Sequence, residues 1–204
     1  MALDTKQVSI VEAAIKRFAH FGVAKTTMSE IAADLSLSKA SLYYYFPDKL
    51  NLYGAVLQFI ADQDAREHDE GLAGEKDPYK AIKEYLERRT DFIIKYYNIL
   101  EFLKTISPSK IHPELQPIFS NLKKRELNRL ILIIEKGVNS GQFMIKDVKK
   151  TAELFFDFLD GFRTSVILNS NHFFPDKKQF RSILSKESEF ALIFLNGLTI
   201  KTPS

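Results

Sequence analysis

Apolar residues recur along this chain at spacings of three and four rather than two, the signature of helices with one covered face. Ile10, Ala14, Phe18 and Phe21 form one stripe. Ile82, Leu86 and Ile93, with Tyr85, Phe92 and Tyr96, form a second. Leu115, Phe119, Leu122, Leu130 and Ile134 form a third, long one. No stretch alternates with a period of two, and no Asn-Gly pair marks a hairpin. The pattern predicts an all-α fold.

Polar punctuation places the helix ends. Asp4 with Gln7 caps a first helix that runs to about Phe21 and stops at Gly22. Thr27 and Glu30 make a capping box, each side chain satisfying an exposed backbone N–H of the other, and open a short helix over residues 27–35. Ser38 caps another over residues 39–45. Pro47-Asp48 ends that one and caps a longer helix over residues 49–67. Residues 68–77, polar with two glycines, read as the best loop in the chain. Asp77 is then an N-cap and Pro78 a first helical residue. Breaks are expected at Ser107-Pro108, at His112-Pro113 and over residues 137–141. Asp147 starts a long helix to about Asn169, residues 169–178 form a loop around Pro175, and a last helix covers residues 186–198.

Composition removes whole classes of chemistry. The 204 residues are 45% hydrophobic, enough to bury a core without metal or disulfide support. Cysteine is absent, which excludes disulfide frameworks, thiolate metal sites and cysteine nucleophiles. The first residues lack the apolar middle of a signal peptide and carry Asp4, and no apolar run approaches the roughly 20 residues of a membrane span. A soluble, cytoplasmic protein with no membrane partner is expected. The net charge of +3 neither demands nor excludes nucleic acid, and residues 1–60 hold six basic against five acidic side chains.

The two short helices are joined by only Ser36, Leu37 and Ser38, and a bracing helix precedes them. That is the layout of a helix-turn-helix, whose second helix enters the DNA major groove. Ile31, Leu35, Leu37 and Leu42 would hold the pair together. Lys39, Ser41, Tyr43, Tyr44 and Tyr45 surround the second helix with donors and flat rings. Lys49, beside a helix N-terminus, can meet a phosphate.

At this point the chain closely resembles the TetR family of bacterial transcriptional regulators. The run Phe21-Gly-Val-Ala-Lys-Thr-Thr-Met-Ser-Glu-Ile-Ala-Ala-Asp-Leu-Ser-Leu-Ser-Lys-Ala-Ser-Leu-Tyr-Tyr-Tyr-Phe-Pro-Asp-Lys49, with Ala13, Ala14 and Phe18 before it, carries the likeness across about residues 8–57. The resemblance implies phosphate contacts at Thr27, Ser38, Tyr44 and Lys49, and base-edge or groove contacts at Lys39, Ser41, Tyr43 and Tyr45. Ala40 stands where the family often has Gly and Tyr45 where His is common. It also implies a helix-turn-helix DNA-binding domain, residues 1–47, and a larger helical ligand-binding and dimerisation domain, residues 48–204. The expected partners are a double-stranded palindromic DNA operator, a small-molecule effector and a second copy of the chain. The function implied is that of a repressor released by a hydrophobic or amphipathic ligand.

Phenylalanine concentrates in the larger part, 13 of 17 lying after residue 90. Residues 154–162 and 190–198 are apolar on more than one face, so each helix needs cover on both sides. One side would pack at home and the other on a second subunit, in a four-helix interface built from Phe155, Phe158, Phe162, Phe190, Ile193, Phe194 and Gly197. Such a dimer offers two recognition helices about 34–36 Å apart. Candidate effector contacts are Phe92, Tyr96, Phe102, Phe119 and Phe156, with Tyr97, Glu101, His112 or Arg163 as a polar anchor. The four histidines show no metal spacing, and nucleophile elbows and phosphate loops are missing, so no metal, cofactor or enzymatic activity is expected. A helical ligand carrier or protein-interaction module with a vestigial helix-turn-helix stays open, motivated by the weak charge of the first 60 residues.

Overall fold

A computed structural model describes residues 3–105, 115–168 and 177–199. Among them the chain is helical: α1 (Thr5–Phe21), α2 (Met28–Asp34), α3 (Lys39–Tyr45), α4 (Lys49–Gly74), α5 (Pro78–Lys95), α6 (Tyr97–Thr105), α7 (Gln116–Asn139), α8 (Val148–Leu168) and α9 (Lys177–Gly197). The expected breaks at residues 107–108 and 112–113 lie outside the described residues. By contacts the chain divides into two compact units, Met1–Ala65 with Lys95–Leu122 and Arg66–Ile94 with Lys123–Ser204.

Local chemistry explains the first three helices. Asp4 Oδ1 accepts the backbone N–H of Lys6 and Gln7, and Gln7 Oε1 accepts that of Asp4, each at 2.8–3.0 Å. Gly22, at φ 81°, ends α1 in a conformation that costs glycine little. The Thr27–Glu30 box forms as read, with Thr27 N–H and Oγ1 both donating to Glu30 Oε2 at 2.7 Å. Ile10, Val11, Ala14, Phe18, Ile31 and Leu42 are buried and hold α1, α2 and α3 together. Phe21 departs from its stripe. It is 52% exposed, with His20 edge-on at 4.4 Å and the Arg17 guanidinium 5.8 Å above its ring.

The rest of the first unit is built on Tyr53. Its ring meets Phe18 and Phe102 edge-on, and its hydroxyl donates to Ile99 O at 2.9 Å. Burial pushes that phenol far above its ordinary pKa, so it stays a neutral donor. Asn98 Nδ2 donates to Ala19 O at 2.7 Å, tying α6 to the end of α1. A Cβ on Gly54 would stand 2.8 Å from Ile118 and Leu115, so glycine sets the close approach of α4 and α7.

In the second unit, Leu86, Leu130, Ile133, Ala152, Phe155 and Leu159 centre a core shared by α5, α7, α8 and α9. Phe143 folds back on Gly137, where any Cβ would lie about 2.0 Å from its ring, and forms a single bridge to Thr199.

Two helix boundaries differ from the sequence expectation. Residues 68–74, expected as loop, continue α4 to Gly74. Tertiary partners hold them. Leu72 is buried, Asp69 takes Arg129 at 2.7 Å, His68 O accepts from Arg88, and Lys136 Nζ donates to the terminal carbonyls of Ala73 and Glu75. The last helix likewise begins at Lys177, not near residue 186, because Phe180 and Ile183 are buried and extend its apolar stripe.

Candidate functional site

The four-residue link between α2 and α3, Leu35 to Ser38, closes as a Schellman turn. Leu37 N–H reaches back to Ala32 O at 2.9 Å and Ser36 N–H to Ala33 O at 3.1 Å, with Ser36 at φ 53°. Ser38 then caps α3, its Oγ accepting Ser41 N–H at 3.0 Å. This fixes where each side chain of α3 points. Leu42 and Phe46, one turn apart, face inward and are buried. Lys39, Ala40, Tyr43 and Tyr44 face outward as two adjacent i, i+4 rows.

The outward rows carry the chemistry of groove recognition. Tyr44 is 84% exposed and Tyr43 40% exposed. Lys39 Nζ lies 5.8 Å over the Tyr43 ring, and Tyr45, half-buried, meets Tyr44 edge-on at 5.2 Å. Ala40 between them is small and exposed, so little stands in the way of an approaching surface. Ser38 and Ser41 share one hydrogen bond at 2.8 Å, so one of their two hydroxyl protons is free to donate. The Thr27 hydroxyl donates to Glu30, and a phosphate at that position would have to displace the carboxylate.

Lys49 requires a correction. It was expected against a phosphate, but its ammonium donates to Val23 O at 3.0 Å, Ala24 O at 3.2 Å and Thr26 O at 3.0 Å. Three N–H groups meet three carbonyls, which fills its capacity and ties the start of α4 to the α1–α2 turn. Arg17 is also a strut rather than a solvated cation. Its fork grips Asp34 at 2.5 and 2.8 Å and reaches Glu30 at 3.5 Å. The hydrogen bond from Arg17 holds the Asp34 carboxyl below its usual value, and those from the Thr27 hydroxyl and backbone lower that of Glu30.

The expected effector contacts do not assemble within one unit. Tyr96, Tyr97, Phe102 and Phe119 belong to the first, Phe92, Phe156 and Arg163 to the second, and His112 lies outside the described residues. Phe102 packs on Tyr53, and the Tyr97 hydroxyl donates to Glu101 at 3.0 Å. Arg163 is 5% exposed and paired with Glu187, itself fully buried. Glu187 and its second neighbour Arg89 were not foreseen. The signal was present, since Glu187 sits one turn from Ile183 and one from Ala191, at a position of the stripe where an apolar residue belongs.

Of the expected interface residues, Phe158 and Ile193 are exposed, at 41% and 65%, while Phe162, Phe190 and Phe194 are half-buried and Gly197 is exposed. Phe158 stacks on Phe190 at 3.5 Å. Phe155 is a correction: at 1% exposure it stacks against Phe190 and packs on Phe194 inside its own chain and has no face for a partner. Leu154 and Leu192, on the same two helices, are also exposed, at 64% and 49%.

Comparison with known proteins places these features. Residues 10–56 match the model of bacterial regulatory proteins, tetR family. The HTH-type transcriptional regulator RutR of Escherichia coli K12 is 37% identical over 93 residues, 44% of this chain and 42% of its own length. The chain thus spans under half the length of that curated relative. A protein of the same organism named a probable acrEF/envCD operon repressor is 32% identical over 97 residues, 46% of this chain and 43% of its own. A solved transcriptional regulator from Cytophaga hutchinsonii is 30% identical, covers 97% of this chain and 100% of its own, and superposes with a TM-score of 0.82.

Proposed function

We propose that this chain, which belongs to the TetR family of bacterial transcriptional regulators, is a cytoplasmic one-component repressor. It binds a palindromic operator as a homodimer and leaves it when a small hydrophobic or amphipathic effector binds. The observation that carries the reading is the outward face of α3. Lys39, Tyr43 and Tyr44 stand exposed on a helix whose opposite face, Leu42 and Phe46, is anchored in the core. Residues 1–47 are the reading head, with Ser38, Ser41, Tyr45 and Thr27 supporting Lys39, Tyr43 and Tyr44. Residues 48–204 are the ligand-binding and dimerisation body. In that body the exposed apolar side chains Leu154, Phe158, Leu192 and Ile193 support an isologous interface made by α8 and α9. Among the described residues no helix is long and apolar enough to cross a membrane.

Effector and operator compete through α4. It starts three residues after α3 ends, and it contributes residues to both units. The coupling is reciprocal by linkage: an effector that weakens DNA binding is itself bound more weakly by the DNA complex, by the same factor.

Selection of bound sequences from random double-stranded DNA tests the reading. A palindrome enriched by the wild type and lost in a Lys39→Ala, Tyr44→Ala variant that folds normally is the expected result. No enrichment even at low salt overturns it and leaves the helical carrier as the reading to pursue.

A further inference from the structure

The second unit carries charge into its core from three helices. Arg163 on α8 donates through Nε to Glu187 Oε1 on α9 at 3.0 Å, pairs through Nη2 with Glu187 Oε2, and reaches Thr90 Oγ1 on α5 at 3.3 Å. Arg89 on α5 approaches the same Glu187 oxygen, its Nη1 standing 3.8 Å from Oε1. Glu187 is fully buried, Arg163 is 5% exposed and the Arg89 side chain 10%.

Inside this trio two guanidiniums face a single fully buried carboxylate, and Arg89 draws its remaining counter-charge from outside it. The nearest further acids are already engaged or lie at the surface. Glu126 takes Arg129 at 2.8 Å and the Tyr85 hydroxyl at 2.8 Å, and stands 3.6 Å from Arg89. Asp160, 3.5 Å from Arg89, has a side chain 61% exposed. Two donors inside the trio, Arg89 Nη1 and Arg163 Nη1, are buried with no hydrogen-bond partner. Buried N–H groups without an acceptor are rare and costly, more so when they carry charge. Burial and the neighbouring Arg89 charge push the Arg163 guanidinium below its ordinary value, whereas around Arg89 burial is outweighed by Tyr85 and the acids Glu126, Glu187 and Asp160, so it is beside Arg163 that a further anion is favoured. An aromatic ring adjoins the charges. The Phe156 ring, 9% exposed, has the Arg89 guanidinium 5.9 Å from its centroid and Lys123 Nζ at 5.4 Å.

We propose that Arg89 and Arg163 form the recognition point for an amphipathic effector with an oxyanion head, a carboxylate or a phosphate ester, whose apolar body lies against Phe156. The inference rests on the reading that this body binds an effector, and it names the effector's chemistry. The unpartnered Nη1 groups of the two guanidiniums can each donate to an oxygen of either oxyanion, which an alcohol or an ammonium head cannot match in charge.

Calorimetric titration of the full-length protein with four probes on one ten-carbon body tests it: decanoate, decyl phosphate, decanol and decyltrimethylammonium, each below its micelle concentration. One or both oxyanions should bind saturably, at one site per chain, at least tenfold more tightly than decanol or the ammonium, and which one binds distinguishes the two heads. Removing the pair together, as Arg163→Met with Glu187→Met, leaves neither of those two charges without the other, and Arg89 keeps Glu126 at 3.6 Å and Asp160 at 3.5 Å. That variant should lose at least tenfold in oxyanion affinity and leave decanol binding unchanged. If it does not fold, Arg89→Lys, which keeps the charge but removes the unpartnered Nη1 donor, should show the same selective loss. Decanol binding as tightly as the oxyanions, no saturable binding by either oxyanion, or retention of the oxyanion preference in the folded variant overturns the proposal. The selected operator separates the two readings. Release of DNA by decanol or the ammonium alone sinks the oxyanion site and spares the regulator, whereas tight oxyanion binding that leaves DNA affinity unchanged spares the site and denies that such ligands are the effector.

Discussion

Ser36 and Lys49 each carry more of the helix-turn-helix than their residue types announce. Ser36 holds a left-handed conformation at φ 53°, where a side chain costs about 1–2 kcal/mol and glycine nothing. Glycine returns roughly 0.5–1 kcal/mol of that through the freedom it gives the unfolded chain. Ser36→Gly should therefore stabilise the protein by about 0.5 kcal/mol, seen as a higher urea midpoint with an unchanged slope, and leave operator affinity as it is. A lower midpoint would mean that the serine side chain has a role in the turn beyond its backbone. Lys49 separates two roles cleanly. As a carbonyl tie, its replacement in Lys49→Met leaves three acceptors without their cation and costs about 1–3 kcal/mol of stability. A phosphate contact would instead lower the slope of log K against log salt by about one on mutation. The expected outcome is a lower melting temperature with the slope unchanged.

Among the elements, α1 to α3 were legible from sequence nearly to the residue, because each is framed by groups within three or four positions of its ends. Asp4 with Gln7, Thr27 with Glu30, and Ser38 need no distant partner to cap a helix. The ends of α4 and α9 were not legible for the opposite reason. Residues 68–74 look like loop until Arg88, Arg129 and Lys136 arrive from α5 and α7 to hold them, and those partners lie 20 or more positions away. The same limit hid the charge cluster, since nothing local announces that Arg89, Arg163 and Glu187 meet. It also misplaced Phe155, because an apolar helix does not say which of its faces stays at home. The strut between α1 and α2 predicts an acid response. Asp34 and Glu30 are held below their ordinary values, so the stability they contribute is complete above the unfolded carboxylate range near pH 4 and is lost as pH falls through the lower folded values. Asp34→Asn should melt earlier than wild type at pH 7, and the gap should close towards pH 2. A gap that persists undiminished in acid would show that the Arg17 pair is not its source.

At the scale of the whole molecule, the exposed apolar residues of α8 and α9 set the assembly expected in solution. Leu154→Asp with Ile193→Asp places two charges on faces that are 64% and 65% exposed in the single chain, so the fold should survive. Light scattering should report half the wild-type mass, and palindrome binding should weaken by more than tenfold because each half-site is then held alone. A variant that keeps the wild-type mass would move the interface elsewhere. The recognition helix has a last consequence, in optics. The chain has no tryptophan, and three of its eight tyrosines, Tyr43, Tyr44 and Tyr45, sit together on α3, while Tyr53 and Tyr85 are sealed in the interior. Its native ultraviolet emission is therefore tyrosine light, and three of the eight emitters are the side chains that would meet the bases. Docking on an operator should dim it without any dye attached, and Tyr44→Phe, which removes the hydroxyl from the most open ring, should alter that signal more than the same change at Tyr85.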